Sequence, residues 1–207
     1  MIRNYKFGFS LAEVLVTMGL LGVLTSMLIP VLHSVQPNQN KILLRKGYQV
    51  VERTVNLMIN DDALYPDDDA FANSTYGGGQ KFCQNFQDAL NMVSYGTCPT
   101  SGGPAYIGST PDGIDWYYTA GTFTQSGNAF NNIVAFDVNG SAKTPNCATT
   151  SMGLPSGYTQ CGTGKKADLF KVGIRWDGKI HMGGASNDSD SYAQSILSSV
   201  SNNLNDD

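Results

Sequence analysis

Between residues 9 and 35 the chain carries only two ionisable side chains, Glu13 and His33, in a run made mostly of Leu, Val, Met, Ile, Gly and Ala. A helix over 9–32 would hold about 24 residues and extend roughly 36 Å at 1.5 Å per residue. That length crosses a hydrocarbon core of about 30 Å. Arg3 and Lys6 precede the run with no acidic residue among them. The positive-inside rule then puts residues 1–8 in the cytoplasm and the C-terminal bulk outside. A secretory signal has a shorter apolar region followed by a small residue at its cleavage site. Here the small residue, Gly8, stands before the run. Cleavage after Gly8 would leave the hydrophobic segment on the mature protein.

Glu13 lies just inside this segment. A carboxylate at the bilayer centre costs about 2.5–3.5 kcal/mol on insertion scales, and less near the edge. Two readings follow. Glu13 stays hydrated one turn inside the interface, or it awaits a cation. A cut between Gly8 and Phe9 would create such a cation, the new α-amine of Phe9. In a helical assembly the amine of one subunit meets Glu13 of another, and both charges cancel. Gly22 and Ser26 stand four apart on one helix face and allow close backbone approach, as small residues do between membrane helices. Pro30 removes a backbone donor and crowds the carbonyl of Ser26, and Pro37 would do the same toward His33.

Beyond Pro37 the pattern turns amphipathic. Leu44, Tyr48, Val51, Val55 and Met58 make one helical stripe, with Lys41, Arg45, Lys46, Glu52 and Arg53 mostly off it. One long helix over about 9–60 is therefore expected, hydrophobic all round in 9–35 and amphipathic in 36–60. Residues 61–207 are rich in Gly, Ser, Thr, Asn and Asp, and read as one loop-rich globular β domain with a polar tail from about Ser186. Strands are expected at 115–119, 133–138, 169–176 and 179–182. Phe170, Val172, Ile174 and Trp176 alternate with Lys171, Gly173 and Arg175. A three-residue loop of Trp176, Asp177 and Gly178 would set Val172 opposite Met182 and Ile174 opposite Ile180, aligning the apolar faces. An antiparallel sheet laid on the helix stripe buries both.

All four cysteines, Cys83, Cys98, Cys147 and Cys161, fall in the later domain. Three pairings are possible. Cys83–Cys98 with Cys147–Cys161 is preferred because each closes a local loop, and a loop of about 15 residues adds roughly 3 kcal/mol in the chain-entropy model. Disulfides persist outside the cytoplasm. The spacings lack the paired knuckles of a zinc site. No metal residue is assigned. Asp61, Asp62, Asp67, Asp68 and Asp69 form an acidic cluster that reads as a solvated loop, with calcium binding left open. No nucleophile or metalloprotease motif occurs, and the glycine-rich stretch at 162–166 lacks the pattern of a phosphate loop. No cofactor and no enzymatic role are expected. The chain has 13 basic and 17 acidic side chains, and losing Arg3 and Lys6 makes it more acidic. Nucleic acid is therefore not an expected partner. Lys165, Lys166 and Lys171 read as a small solvated face.

The basic leader ending at Gly8, Phe9-Ser-Leu-Ala-Glu13 and the apolar run to Pro30 resemble the N-terminus of type IV prepilins and of type II secretion pseudopilins. The resemblance covers about residues 1–32. It implies a prepilin peptidase that cuts after Gly8 and N-methylates Phe9, and an assembly role for Glu13. It also implies an α+β, pilin-like fold, with the long helix packed on a small antiparallel sheet. The function implied is that of a structural subunit of a type IV pilus-like filament, or a pseudopilin or minor pilin of a type II secretion or DNA-uptake machine. A non-polymerising, membrane-anchored periplasmic binding module is the reading from another class. The expected partners are the peptidase, identical or related pilin subunits, an inner-membrane assembly platform, and membrane lipid before assembly. The expected location is the inner membrane, single-pass with a periplasmic C-terminal domain, and then a periplasmic or cell-surface filament.

Overall fold

The computed structural model describes residues 10–35, 39–125, 128–151, 153–163, 166–184 and 190–201, with side chains except at 27–35 and 199–201. It divides into two compact units, Met1–Gln39 and Asn40–Asp207. In the first unit, helix α1 covers Leu11–Val35 and stays helical through Pro30. Helix α2, Gln39–Ile59, lies in the second unit from Asn40 on. The expected continuity between them falls on residues 36–38, outside the described residues.

The expected stripe of α2 is its buried face. Leu44, Val51, Val55 and Met58 are buried and Tyr48 is half-buried. Gly47 and Thr54 also lie on that face. It packs on one side of a six-stranded antiparallel sheet of order β1-β2-β3-β4-β7-β8. The strands are β1 Ser94–Tyr95, β2 Ala105–Ser109, β3 Asp115–Thr119, β4 Asn132–Asp137, β7 Leu169–Ile174 and β8 Ile180–Met182. A separate parallel pair joins β5, Cys147–Ala148, to β6, Thr159–Gln160.

The four expected strands appear as β3, β4, β7 and β8. The β7–β8 hairpin has the expected register, Val172 opposite Met182 and Ile174 opposite Ile180. Arg175 N–H donates to the Lys179 carbonyl at 2.9 Å and closes the three-residue loop. Gly178 sits there at φ 78°, a left-handed conformation that glycine adopts at little cost.

Alternation along the strands makes two faces. Trp116, Tyr118, Val134, Phe136, Phe170 and Val172 point into the main core with α2. Helix α3, Gly79–Ala89, closes the same side, with Phe82 stacked on Tyr118 at 5.7 Å between centroids and Phe86 edge-on to Trp116 at 5.9 Å. Each fully buried Phe or Leu contributes roughly 1.5–3 kcal/mol of transfer free energy.

The other face is not the solvated one that alternation suggests. Tyr117, Ala135 and Leu169 are buried beneath Ala148, Leu154 and Tyr158, all from the segment of the Cys147–Cys161 loop. All of β7 is buried, and Lys171 is only 3% exposed. The reading of Lys171 as part of a solvated lysine face is thereby corrected, because the disulfide-closed loop covers that side of the sheet. Lys165 lies outside the described residues.

The tail expected to be polar is partly structured. Helix α4, Ser191–Ser201, starts at Asp190, whose Oδ1 accepts from Ala193 N–H at 2.9 Å. Ala193 and Ile196 are buried in the main core. Arg45 Nη2 of α2 donates to the Ile196 carbonyl at 3.0 Å.

Candidate functional site: the N-terminal helix

Every described side chain of α1, residues 11–26, is exposed. Leu15, Met18, Leu20 and Leu21 are each 60% exposed or more. A helix that is apolar all round demands an apolar surrounding, either lipid or other helices. The hydroxyls among its described side chains are satisfied within the helix. Thr17 Oγ1 donates to the Val14 carbonyl at 2.9 Å, Thr25 Oγ1 to that of Leu21 at 2.8 Å, and Ser26 Oγ to that of Val23 at 2.7 Å. Such back-bonding removes the cost of placing a hydroxyl in hydrocarbon. α1 has 25 residues. Its side chains are described only to residue 26, and among the described residues no helix is long and apolar enough to cross a membrane.

The start of α1 is a capping box. Ser10 donates to Glu13 Oε2 from its backbone N–H at 2.9 Å and from its hydroxyl at 3.0 Å. Glu13 N–H donates back to Ser10 Oγ at 3.3 Å. The Ser-x-x-Glu spacing satisfies two otherwise orphaned helix donors reciprocally. The positive end of the helix dipole also favours a carboxylate here. Among the described residues Glu13 Oε1 has no partner. The Ser-x-x-Glu spacing of Ser10 and Glu13 is the sequence signal of this box.

Residues 3–29 match the family model described as the prokaryotic N-terminal methylation motif. This segment is a prepilin-type signal. No curated protein matches the chain. No solved structure matches it either.

The signal's own residues divide by what the structure describes. Gly8 and Phe9, the expected processing pair, lie outside the described residues. Glu13 is in the first turn of α1. Gly22 stands at an open surface, with nothing within 4 Å of where a Cβ would be. Pro30 lies within the helix, at a position whose side chain is not described.

Elsewhere the four cysteines form the two local disulfides, Cys83–Cys98 and Cys147–Cys161. The acidic residues after α2 act as loop acceptors. Asp61 Oδ1 accepts from Ala63 N–H at 2.9 Å, and Asp67 Oδ2 from Asn73 Nδ2 at 3.0 Å. Asp69 accepts from Gln125. Among the described residues no group of three His, Cys, Asp or Glu side chains is placed to hold a metal ion.

A buried carboxyl–phenol pair lies on the outer face of the sheet. Asp137 is fully buried. Its Oδ1 accepts from Asn139 and Gly140 N–H, both at 3.1 Å, and its Oδ2 from Tyr158 Oη at 2.6 Å. Burial pushes its carboxyl up to about 6 against these bonds. Burial and the hydrogen bond to Asp137 together push the Tyr158 hydroxyl far above its ordinary range. These groups hold the disulfide-closed loop to the sheet, and they present no nucleophile or base to solvent.

Proposed function

We infer that the protein is a structural subunit of a type IV pilus-like filament. It is made as a membrane-anchored precursor with residues 1–8 in the cytoplasm and the domain after α2 on the periplasmic side. A prepilin peptidase cuts after Gly8 and methylates Phe9. The subunit then leaves the inner membrane by packing α1 against α1 of other subunits, on an assembly platform.

The observation that carries this reading is the prepilin-type signal at residues 3–29, with Glu13 at the head of an apolar helix whose described side chains are all exposed. Among the described residues the capping box engages only Oε2 of the Glu13 carboxylate. The α-amine of a neighbouring Phe9 is the cation that processing creates, and Oε1 is the oxygen it would meet. Removing both charges from water together costs less than removing either alone. Two disulfides in the later domain support an exported location. The reading assigns the chain no reaction.

The test is mass spectrometry of filaments sheared from native cells. An abundant peptide beginning at N-methylated Phe9 in the sheared fraction is the expected result. The same peptide confined to membranes would make the protein a pseudopilin or minor pilin. An intact leader everywhere would overturn the prepilin reading and leave a membrane-anchored periplasmic module.

A further inference from the structure

The six-stranded sheet ends in two edge strands, β1 and β8. On β8, Arg175 N–H donates to the Lys179 carbonyl and Gly183 N–H to that of Lys171, both at 2.9 Å, with His181 opposite Gly173 between them. Bonded residues alternate along an antiparallel strand, so Ile180 and Met182 direct their backbone groups off the sheet. Gln194 Nε2 takes the Met182 carbonyl at 3.3 Å. Among the described residues the N–H and C=O of Ile180 have no partner. Such an edge is a template for one more strand.

The other edge has a matching residue. Gly96 N–H donates to the Ile107 carbonyl at 2.8 Å, and Tyr95 lies opposite Gly108. The same alternation turns the Tyr95 backbone outward. Tyr95 is 65% exposed. Gly108 in turn lies opposite Trp116, whose side chain is in the main core. Opposed residues share a face of a sheet, so Tyr95 projects on the core face. Ile180 is on that face too, opposite Ile174.

An open groove of about 340 Å³ runs beside Ile180. Gly178, Lys179 and Ile180 line it from the edge, Glu52 and Asn56 from successive turns of α2, and Phe130 from the segment before β4. Glu52 and Asn56 are exposed, and among the described residues Glu52 has no ion pair. The groove thus sets a carboxylate and an amide oxygen beside the apolar surfaces of Ile180 and Phe130. A cationic side chain entering it would meet Lys179 on the rim. A flat apolar body with a neutral donor at its tip fits both walls, and that is a tyrosine.

We propose that β1 of a second copy adds to the free edge of β8, with Tyr95 opposite Ile180 and its ring in the groove, where the hydroxyl donates to Glu52 or Asn56. Each copy gives one edge and receives on the other, so the contact runs head to tail, the kind that builds rings or filaments. One pair of backbone bonds and one ring make a weak contact alone. The proposal rests on the filament reading to this extent, that copies joined through α1 stand at the high effective concentration at which a weak contact counts.

The test uses the full chain in native cells, with Tyr95→Cys and Ile180→Cys in the same chain. Opposed residues of a hydrogen-bonded pair have Cα atoms about 5.5 Å apart, within the roughly 4.4–6.8 Å that a disulfide spans. After mild oxidation, non-reducing gels of sheared filaments and of membranes are expected to show a ladder of multimers, with residue 95 linked to residue 180 by peptide mass spectrometry. Neither single substitution is expected to give the ladder. A second probe leaves the core face untouched. Lys179→benzoylphenylalanine places a photo-cross-linker at a side chain that is 68% exposed. It is expected to capture the peptide holding residues 93–96 of another copy, and Tyr95→Ala to cut that capture about tenfold, as loss of an anchoring tyrosine does. Link or adduct in membranes without any sheared filament would keep the contact and overturn the filament reading. Absence of both from both fractions would overturn the contact, whether or not filaments form. Capture of a different protein in place of this chain would overturn it as well.

Discussion

Ser10 donates to Oε2 of Glu13 from both its backbone N–H and its hydroxyl, at 2.9 and 3.0 Å. Glu13 thus serves its own helix before any second subunit is present. Capping and charge pairing predict different variants. Ser10→Ala weakens the helix start by about 1 kcal/mol but keeps the charge, so sheared filament yield is expected to fall less than about twofold. Glu13→Gln keeps an acceptor for the cap but removes the charge, and is expected to assemble as poorly as Glu13→Ala. Immunoblots of sheared fractions read the outcome. Normal yield from Glu13→Gln would leave Glu13 with the capping role alone.

Asp137 makes stability depend on pH. Its carboxyl is raised from 3.8 to about 6 by burial. The folded protein therefore binds this proton more tightly than the unfolded chain between about pH 4 and 6. The stability it confers is complete below about pH 4 and is lost as pH rises through 6, with a span on the order of 3 kcal/mol. Asp177 acts in the opposite sense. Its hydrogen bond from Arg175 lowers its pKa, and that stability is lost as pH falls through the acidic range. Asp137→Asn mimics the protonated group, accepting from Asn139 and Gly140 and donating to Tyr158. It is expected to flatten the midpoint of urea unfolding between pH 4 and 6. An unchanged slope in that window would move the titration to another group.

The particulars of these sites show what the sequence could reveal. The β7–β8 hairpin was legible because alternation and the Asp177-Gly178 turn specify one register. The α2 stripe was legible because its apolar spacing is helical. Helix α3 was missed. Phe82, Phe86 and Leu90 recur at helical spacing, but the helix starts at Gly78 with no side-chain cap, so the usual start signal is absent. The covered outer face was missed because Lys171 reads as a solvated position. The Cys147–Cys161 loop that buries this face comes from earlier in the chain, and local periodicity carries no trace of such a contact.

The two disulfides are expected to differ in what their loss exposes. Each closes a loop of similar length, with sequence separations of 15 and 14. Removing either by paired Cys→Ser substitution is expected to cost roughly 2–5 kcal/mol by urea unfolding. Loss of Cys147–Cys161 also loosens the cover over Tyr117 and Ala135. Only that variant is expected to increase acrylamide quenching of tyrosine emission while folded. Equal quenching in both variants would show that Tyr158 and Asp137 hold the loop without the covalent link.

Gly47 tests how closely α2 approaches the sheet. A Cβ there would lie 2.6 Å from Cδ2 and 2.9 Å from Cζ of Phe136. Phe136 is fully buried and packed on Trp116 and Phe170, with ring centroids at 5.4 and 6.0 Å, so its ring has no free space to retreat into. In an exposed helix, Gly→Ala gains about 1 kcal/mol from helix propensity. Here the overpacking of roughly 1–3 kcal/mol opposes that gain, and the clash decides the sign. Gly47→Ala is expected to lower the unfolding free energy, while the double variant Gly47→Ala with Phe136→Leu recovers part of the loss because the smaller side chain makes room. Additive losses in the double variant would place the cost of Gly47→Ala elsewhere than at the Phe136 ring.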